Sequence, residues 1–478
     1  MSYECFSICN SFFLLSWLRR CYNALVAVHP FSPITFYFLL FFFSLQHPFN
    51  TYIMPNNRKK FIQQLGAGLF MTGFPSFASA GNFLFERIDP TDFDNEGAAD
   101  DEKYWKRIAH KYYSVSKDYI NLENGYYGIQ PKPVLQAFYK NITHANAEGA
   151  RFARKVYPEL SVSIQKELAN FLQVSTDEII ITRNATEALN IAIQGYPFKS
   201  GDEVLINQLD YFSMIETFRL LEKRDRIKVS AFDMPLLPAT EDEIVELYSQ
   251  RITDKTRVIL LTHVSNINGL IVPVAKITAM AKQKGIDTIT DSAHALGQVA
   301  FSLPALGSDF VGMNLHKWIG NPIGAGVLYI KKERIKEMSV LFGDVNTAEE
   351  NISKLAHFGT TPFAVNMTIP DSIAFHKLMD VEKISRRLHY LKSIWINELQ
   401  QNNAVEIVTP KELSCAIASF RVRGKKVADV ADYLFKQHKI LTVNRALGKE
   451  GCIRVTPSVY TSADDIRRFA AAVKEYTG

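Results

Sequence analysis

A chain of 478 residues is long enough for two domains and a large core, and its 47% apolar and 22% charged content is that of an ordinary globular protein. The formal charge of +5 argues against a nucleic-acid surface: Arg19, Arg20, Arg58, Lys59 and Lys60, set against Glu4, put four of those five charges in the first 80 residues. The five cysteines, three of them at Cys5, Cys9 and Cys21, form neither a disulfide framework nor a metal pattern, so no metal is expected.

Residues 1–53 are rich in phenylalanine, yet their longest uncharged apolar stretch, 34–45, lies between Pro33 and His47-Pro48. That is short of the ~20 residues a spanning helix needs, so an anchor would have to draw in 24–28 as well. Met54 opens a more coherent signal, with a charged region at 57–63, a moderately apolar region at 65–74 and a cleavage pattern at Ala78-Ser79-Ala80. Residues 54–80 therefore read as a signal peptide. It is twin-arginine-like through Arg58-Lys59, with one arginine replaced, or else an ordinary Sec signal. Residues 1–53 then become a spurious upstream extension or leader. The mature protein is expected to be exported, periplasmic in a bacterium, with no stable membrane association.

After the acidic stretch 81–101, helical spacing predicts a helix over 102–116 with Trp105, Ile108 and Tyr112 on one face. A short strand at 119–122 runs into a turn at Asn124-Gly125, and amphipathic helices follow at 131–143 and 158–172. The strand 179–182 breaks at 183–187 into a helix over 188–195. Thr186 and its neighbouring N–H groups form an anion site there, although simple N-capping by Asn184 or Thr186 explains the same residues. Strands at 203–207, 227–232, 257–262, 286–290 and 310–314 then alternate with helices at 214–224, 240–252 and 275–284.

That alternation predicts an α/β fold, a mainly parallel sheet with helices on both faces and a ligand site at the carboxyl ends of the strands. Thr186, Asp210, Tyr211, Asp291 and Lys317 all fall at such ends. Residues 333–357 are charged and irregular, and a polar turn at 357–362 precedes helices at 369–378 and 380–400. The strands 405–408, 416–422, 441–443 and 452–456, with helices 427–437 and 462–476, make a small α+β unit. The expected domains are 81–130, an N-terminal segment joining the small domain, 131–370, the large cofactor domain, and 371–478, the small C-terminal domain.

Asp291 and Lys317 each end an apolar run, and a turn containing Gly320, Asn321, Pro322, Gly324 and Gly326 follows. A carboxylate and a lysine at neighbouring strand ends, backed by a glycine-rich turn, are what pyridoxal phosphate chemistry requires. The lysine forms a Schiff base with the cofactor aldehyde, and the aspartate keeps the pyridine nitrogen protonated so that the ring can draw electrons. Either residue alone reads as a cap or a surface charge. Together with His316 and the turn they are too many polar groups for buried strand ends without a task.

With Asn184-Ala185-Thr186-Glu187-Ala188, Asp291-Ser292-Ala293-His294 and Asn314-Leu315-His316-Lys317, residues 105–475 resemble the class V aminotransferase family of fold-type I pyridoxal phosphate enzymes, nearest to isopenicillin N epimerase-like members. The resemblance implies a seven-stranded, mainly parallel sheet flanked by helices. It implies that Lys317 and Asp291 are catalytic, as the Schiff-base lysine and the pyridine-nitrogen partner, and that His294 meets the phenolic oxygen. Thr186, the Ala185 backbone, Asn314 and His316 would surround the phosphate, with Tyr211 stacked on the ring. Thr360, after Gly359, would reach the cofactor of the neighbouring subunit in a homodimer whose site lies at the interface. Arg454 would grip the substrate carboxylate, a bidentate task that lysine performs poorly, beside Asn124 and Gly125.

Related cysteine desulfurases and selenocysteine lyases carry histidine at the stacking position, and desulfurases place a nucleophilic cysteine upstream of the carboxylate arginine. This chain has Tyr211 and no cysteine in 444–451, and Cys452 reads as a small buried residue. The expectation is an aminotransferase or epimerase working at Cα of a small amino acid, with Lys317 shuttling the proton at a pKa lowered by burial. A desulfurase-like lyase and a non-catalytic exported binding protein are the alternatives.

Overall fold

A strand covered on both faces is apolar along its length, and Val258-Ile259-Leu260-Leu261 and Val327-Leu328-Tyr329-Ile330 are buried runs of that kind. Alternate residues of such runs serve opposite faces of one sheet. Leu205, Ile259, Leu261, Val311 and Val327 join one core with the helices Tyr157–Leu172, Glu241–Ser249 and Val274–Gln283. Their neighbours Val204, Ile206, Val258, Leu260 and Leu328 join another with Ala185–Gly195 and Phe212–Asp225.

The computed structural model describes residues 88–93, 98–344 and 346–478, all within the unit Leu84–Gly478. The expected signal peptide at 54–80 and the extension at 1–53 lie outside them. No helix among the described residues is long and apolar enough to cross a membrane.

In chain order the strands are β1 (Ile120–Asn121), β2 (Ile179–Thr182), β3 (Glu203–Asn207), β4 (Lys228–Phe232), β5 (Thr256–Thr262), β6 (Asp287–Asp291), β7 (Phe310–Asn314) and β8 (Gly326–Ile330). They continue as β9 (Val405–Ile407), β10 (Ala418–Val422), β11 (Ile440–Leu441), β12 (Val443–Arg445) and β13 (Cys452–Val455). The large sheet has seven strands in the order β2-β8-β7-β6-β5-β3-β4. The strands from β7 to β4 run parallel, and β8 alone is antiparallel, to both β7 and β2, because the turn after Lys317 folds the chain straight back. The mainly parallel expectation is met.

The second sheet, β12-β13-β10-β9, is antiparallel and packs on the helices Val381–Leu399 and Ala463–Thr477 through Trp395, Phe420 and Phe469, whose rings lie 5.7–5.9 Å apart. The N-terminal segment is tied to this region, since β1 pairs in parallel with β11 and Thr456 N–H donates to Leu122 O at 2.8 Å.

Several boundaries differ from the sequence reading. The helix expected at 131–143 runs as Lys132–Arg151, and the strand expected at 441–443 divides at Thr442, with β11 in a separate two-stranded sheet with β1 and β12 in the four-stranded one. The helix expected from 188 begins at Ala185, because Asn184 caps it, its side chain accepting from Glu187 N–H at 2.8 Å.

Candidate active site

Asp291 ends β6 and Asn314 ends the adjacent parallel strand β7, so the two side chains emerge beside each other at the carboxyl edge of the sheet. The chain continues to Lys317 and returns to β8 through a loop closed by Leu315 N–H to Ala325 O and Asn321 N–H to Leu315 O, each 3.1 Å. Gly326 lets the helix N-terminus approach. A Cβ there would lie 2.6 Å from the Asn184 backbone, which only glycine avoids.

One cavity of about 1040 Å³ is lined by Gly125, Ala185, Thr186, Tyr211, Asp291, His294, Asn314, His316, Lys317, Thr360 and Arg454. These are all the expected site residues except Asn124. Asn124 lies outside the cavity, with its side chain donating to Thr456 O at 2.9 Å and accepting from Tyr460 Oη at 2.6 Å. It ties the N-terminal segment to the end of β13 and has no capacity left for a substrate.

Lys317 Nζ lies 3.0 Å from His294 Nε2. As an ammonium it only donates, so Nε2 accepts and the ring proton sits on Nδ1, which is buried without a partner. Burial lowers the Lys317 pKa from 10.5 to about 8; Asp291 opposes the shift, while Arg454 and Arg445 deepen it. Burial likewise holds the Asp291 carboxyl above the usual carboxylate range, against the Ala293 N–H that donates to Oδ1 at 2.9 Å and the charge of Lys317.

At the helix N-terminus one expectation changes. The Ala185 N–H, expected to face a phosphate, donates to Asn314 Oδ1 at 2.8 Å, so Asn314 anchors the helix. His316 Nδ1 is 3.0 Å from Ala325 O, which makes it the donor, and burial lowers its pKa to about 4. Its Nε2 would donate to an anion only after protonation. Thr360 and Thr361 both line this chain's own cavity.

Tyr211 N–H donates to Thr262 Oγ1 at 3.2 Å, and Thr262 N–H donates to Asp210 at 3.0 Å. Asp210, whose pKa burial raises to about 7, thus braces the tyrosine backbone through Thr262, a task that its position at a strand end did not reveal in the sequence.

Arg454, on β13, is 1% exposed; its Nη1 donates to Asn266 O at 2.9 Å and its Nη2 to Glu123. Burial brings its pKa down to about 10, opposed by Glu123 and deepened by Arg445. Gly125 covers the guanidinium so closely that a Cβ would lie 2.8 Å from Nη2. Arg445 also lines the cavity, its Nη2 3.6 Å from Glu123 Oε1. Glu123 and Arg445 were not foreseen, because nothing local announces a pairing between residues 123 and 454.

A lysine of depressed pKa, a carboxylate on the adjacent strand, a histidine with an unmatched buried nitrogen and a helix N-terminus with Thr186 fit the donor set that pyridoxal phosphate needs. Cys415 and Cys452 are both buried.

Residues 128–469 match the family described as Aminotransferase class-V. Isopenicillin N epimerase of Streptomyces clavuligerus is 24% identical over 380 residues, 75% of this chain and 95% of that protein. A probable cysteine desulfurase of Xylella fastidiosa (strain 9a5c) is 24% identical over 407 residues, 80% of this chain and 96% of that protein. Among solved structures, the apo cysteine desulfurase of Thermococcus onnurineus NA1 aligns with a TM-score of 0.70 at 22% identity, covering 78% of this chain and 98% of that one. A C-DES mutant with glycine covalently linked to its PLP cofactor aligns with a TM-score of 0.66 at 19% identity, covering 74% and 96%.

Proposed function

This chain belongs to the class-V aminotransferase family of fold-type I pyridoxal phosphate enzymes, and we propose that within it the chain works at Cα of an amino acid by proton transfer, as an aminotransferase or an epimerase. Pyridoxal phosphate is its cofactor, and when bound it supplies a protonated ring that draws electrons from Cα. Lys317, Asp291, His294, Tyr211 and Thr186 are the residues that would hold it. Lys317 Nζ, buried and shifted to about 8, is neutral often enough near neutral pH to take the Cα proton and return it. Asp291 contributes a fixed negative charge, and Arg454 orients the substrate through its carboxylate.

The observation that carries this reading against a desulfurase-type lyase concerns the thiols. Persulfide chemistry needs an accessible thiolate, whereas Cys452 lies fully buried in β13 with its thiol pushed up by burial, and 444–451 has no cysteine. The test is incubation of the holoenzyme with candidate amino acids in deuterated water. Cα deuterium with racemisation and no keto-acid acceptor means epimerisation; strict dependence on an acceptor means transamination. Sulfide release from cysteine that disappears in Cys452→Ala would overturn the reading.

Tyr126, Phe212 and Ile323, lining the cavity yet 72%, 67% and 56% exposed, support a homodimer with the site at its interface, which sedimentation of the holoenzyme checks. The charged region, apolar region and Ala78-Ser79-Ala80 pattern of 54–80 support export of the mature protein.

A further inference from the structure

Four cationic side chains line the cavity: Arg183, Lys317, Arg445 and Arg454. Arg183, its side chain 64% exposed, pairs with Glu187 in the first turn of the helix that follows, with Nε to Oε1 at 2.9 Å, and keeps its charge in solvent at the cavity rim. Lys317 has the charge of Asp291 beside it. The other two share a single carboxylate. Glu123 Oε1 accepts from Arg454 Nη2 and stands 3.6 Å from Arg445 Nη2, while Glu123 itself does not line the cavity.

The sheet dictates this sharing. In the antiparallel pair of β12 and β13, Arg445 lies opposite Cys452, and Arg454, two residues further on, is therefore on the same face and diagonal to Arg445. The group is also short of partners: Arg445 Nε, Arg454 Nε and Glu123 Oε2 are all buried with none. Two guanidiniums and one carboxylate leave one positive charge uncompensated, against the wall where the substrate carboxylate is expected.

We infer that Glu123, Arg445 and Arg454 form a receptor with capacity for one anionic group, that Glu123 sets this capacity, and that the substrate is an amino acid with a non-acidic side chain. The α-carboxylate cancels the surplus charge. A side-chain carboxylate then meets only cations that already have a carboxylate beside them, the solvent-exposed Arg183 with Glu187 and the buried Lys317 with Asp291, and regains little of its desolvation cost. Glu123 acts through the two arginines and is a positioning residue.

The inference rests on the Cα reading above, and its test separates the two. The visible absorbance band of the holoenzyme is titrated with isosteric pairs that differ only in charge, L-glutamine with L-glutamate and L-asparagine with L-aspartate. The amide member is expected to move the band at about tenfold lower concentration or less, the scale of one unpaired charged group. Glu123→Gln adds one unit of positive charge and is expected to erase or reverse that ratio, and Glu123→Asp to restore it. A band moved equally by both members, or a ratio unchanged in Glu123→Gln, overturns the inference alone. A band that no amino acid moves overturns the Cα reading and the inference with it. Should Glu123→Gln fail to fold, Arg445→Gln removes the surplus charge and is expected to weaken both members about tenfold with the cofactor band retained; unchanged binding in that variant overturns the inference.

Discussion

The lowered pKa of Lys317 sets how fast the apo protein takes up its cofactor. Only the neutral amine attacks the cofactor aldehyde, and a pKa of about 8 in place of 10.5 changes its abundance. At pH 7 about one amine in ten is neutral, against about one in three thousand for an ordinary lysine, a difference of roughly 300-fold. The sign follows from the direction of the shift: below about 8 the group is an ammonium, and it sheds its proton as pH rises through that value. The rate of band formation when apo protein is mixed with pyridoxal phosphate should climb about tenfold per pH unit and level off near pH 8. Asp291 is the charge that holds this amine up, so Asp291→Asn should move the break to lower pH. A break near pH 10, or one that moves upward in Asp291→Asn, would refute the account of burial winning over the carboxylate.

Two further perturbations probe the frame around that lysine. Glu123→Ala leaves the guanidinium of Arg454, 1% exposed, without its carboxylate, and breaking a buried pair on one side costs about 3–5 kcal/mol; urea unfolding of the apo protein should show that loss, and a change under about 1 kcal/mol would mean the pair is not truly desolvated. Gly326→Ala drives a Cβ to 2.6 Å from the backbone of Asn184 and 2.9 Å from Met313 O, atoms that cannot swing aside. It should cost about 1–3 kcal/mol of stability and, by displacing the helix N-terminus, weaken pyridoxal phosphate binding measured by equilibrium titration.

The sheet was legible because its strands are buried on both faces, so Val258 to Leu261 and their counterparts stand out as unbroken apolar runs, with Asp291 and Lys317 conspicuous where those runs stop. The cavity was legible for the same reason, since strand ends in such a fold converge, and Thr186, Tyr211, Asp291 and Lys317 meet there. The details that escaped are set by partners remote in sequence. Asn124 and Gly125 are neighbours in sequence, but the chain turns at them and sends the two in different directions, Gly125 against Arg454 and Asn124 toward Thr456 and Tyr460. Likewise the Ala185 N–H looked free at a helix start until Asn314, 129 residues on, was found to take it. Arg445 shows how much one register decides. In the sequence it lies nine residues before Arg454, and nothing local indicates that the two act together. Once Arg445 is set opposite Cys452, strand alternation forces it onto the face of Arg454. A shift of one residue would put it on the opposite face, away from Glu123, and the charge balance of the cavity would change with it.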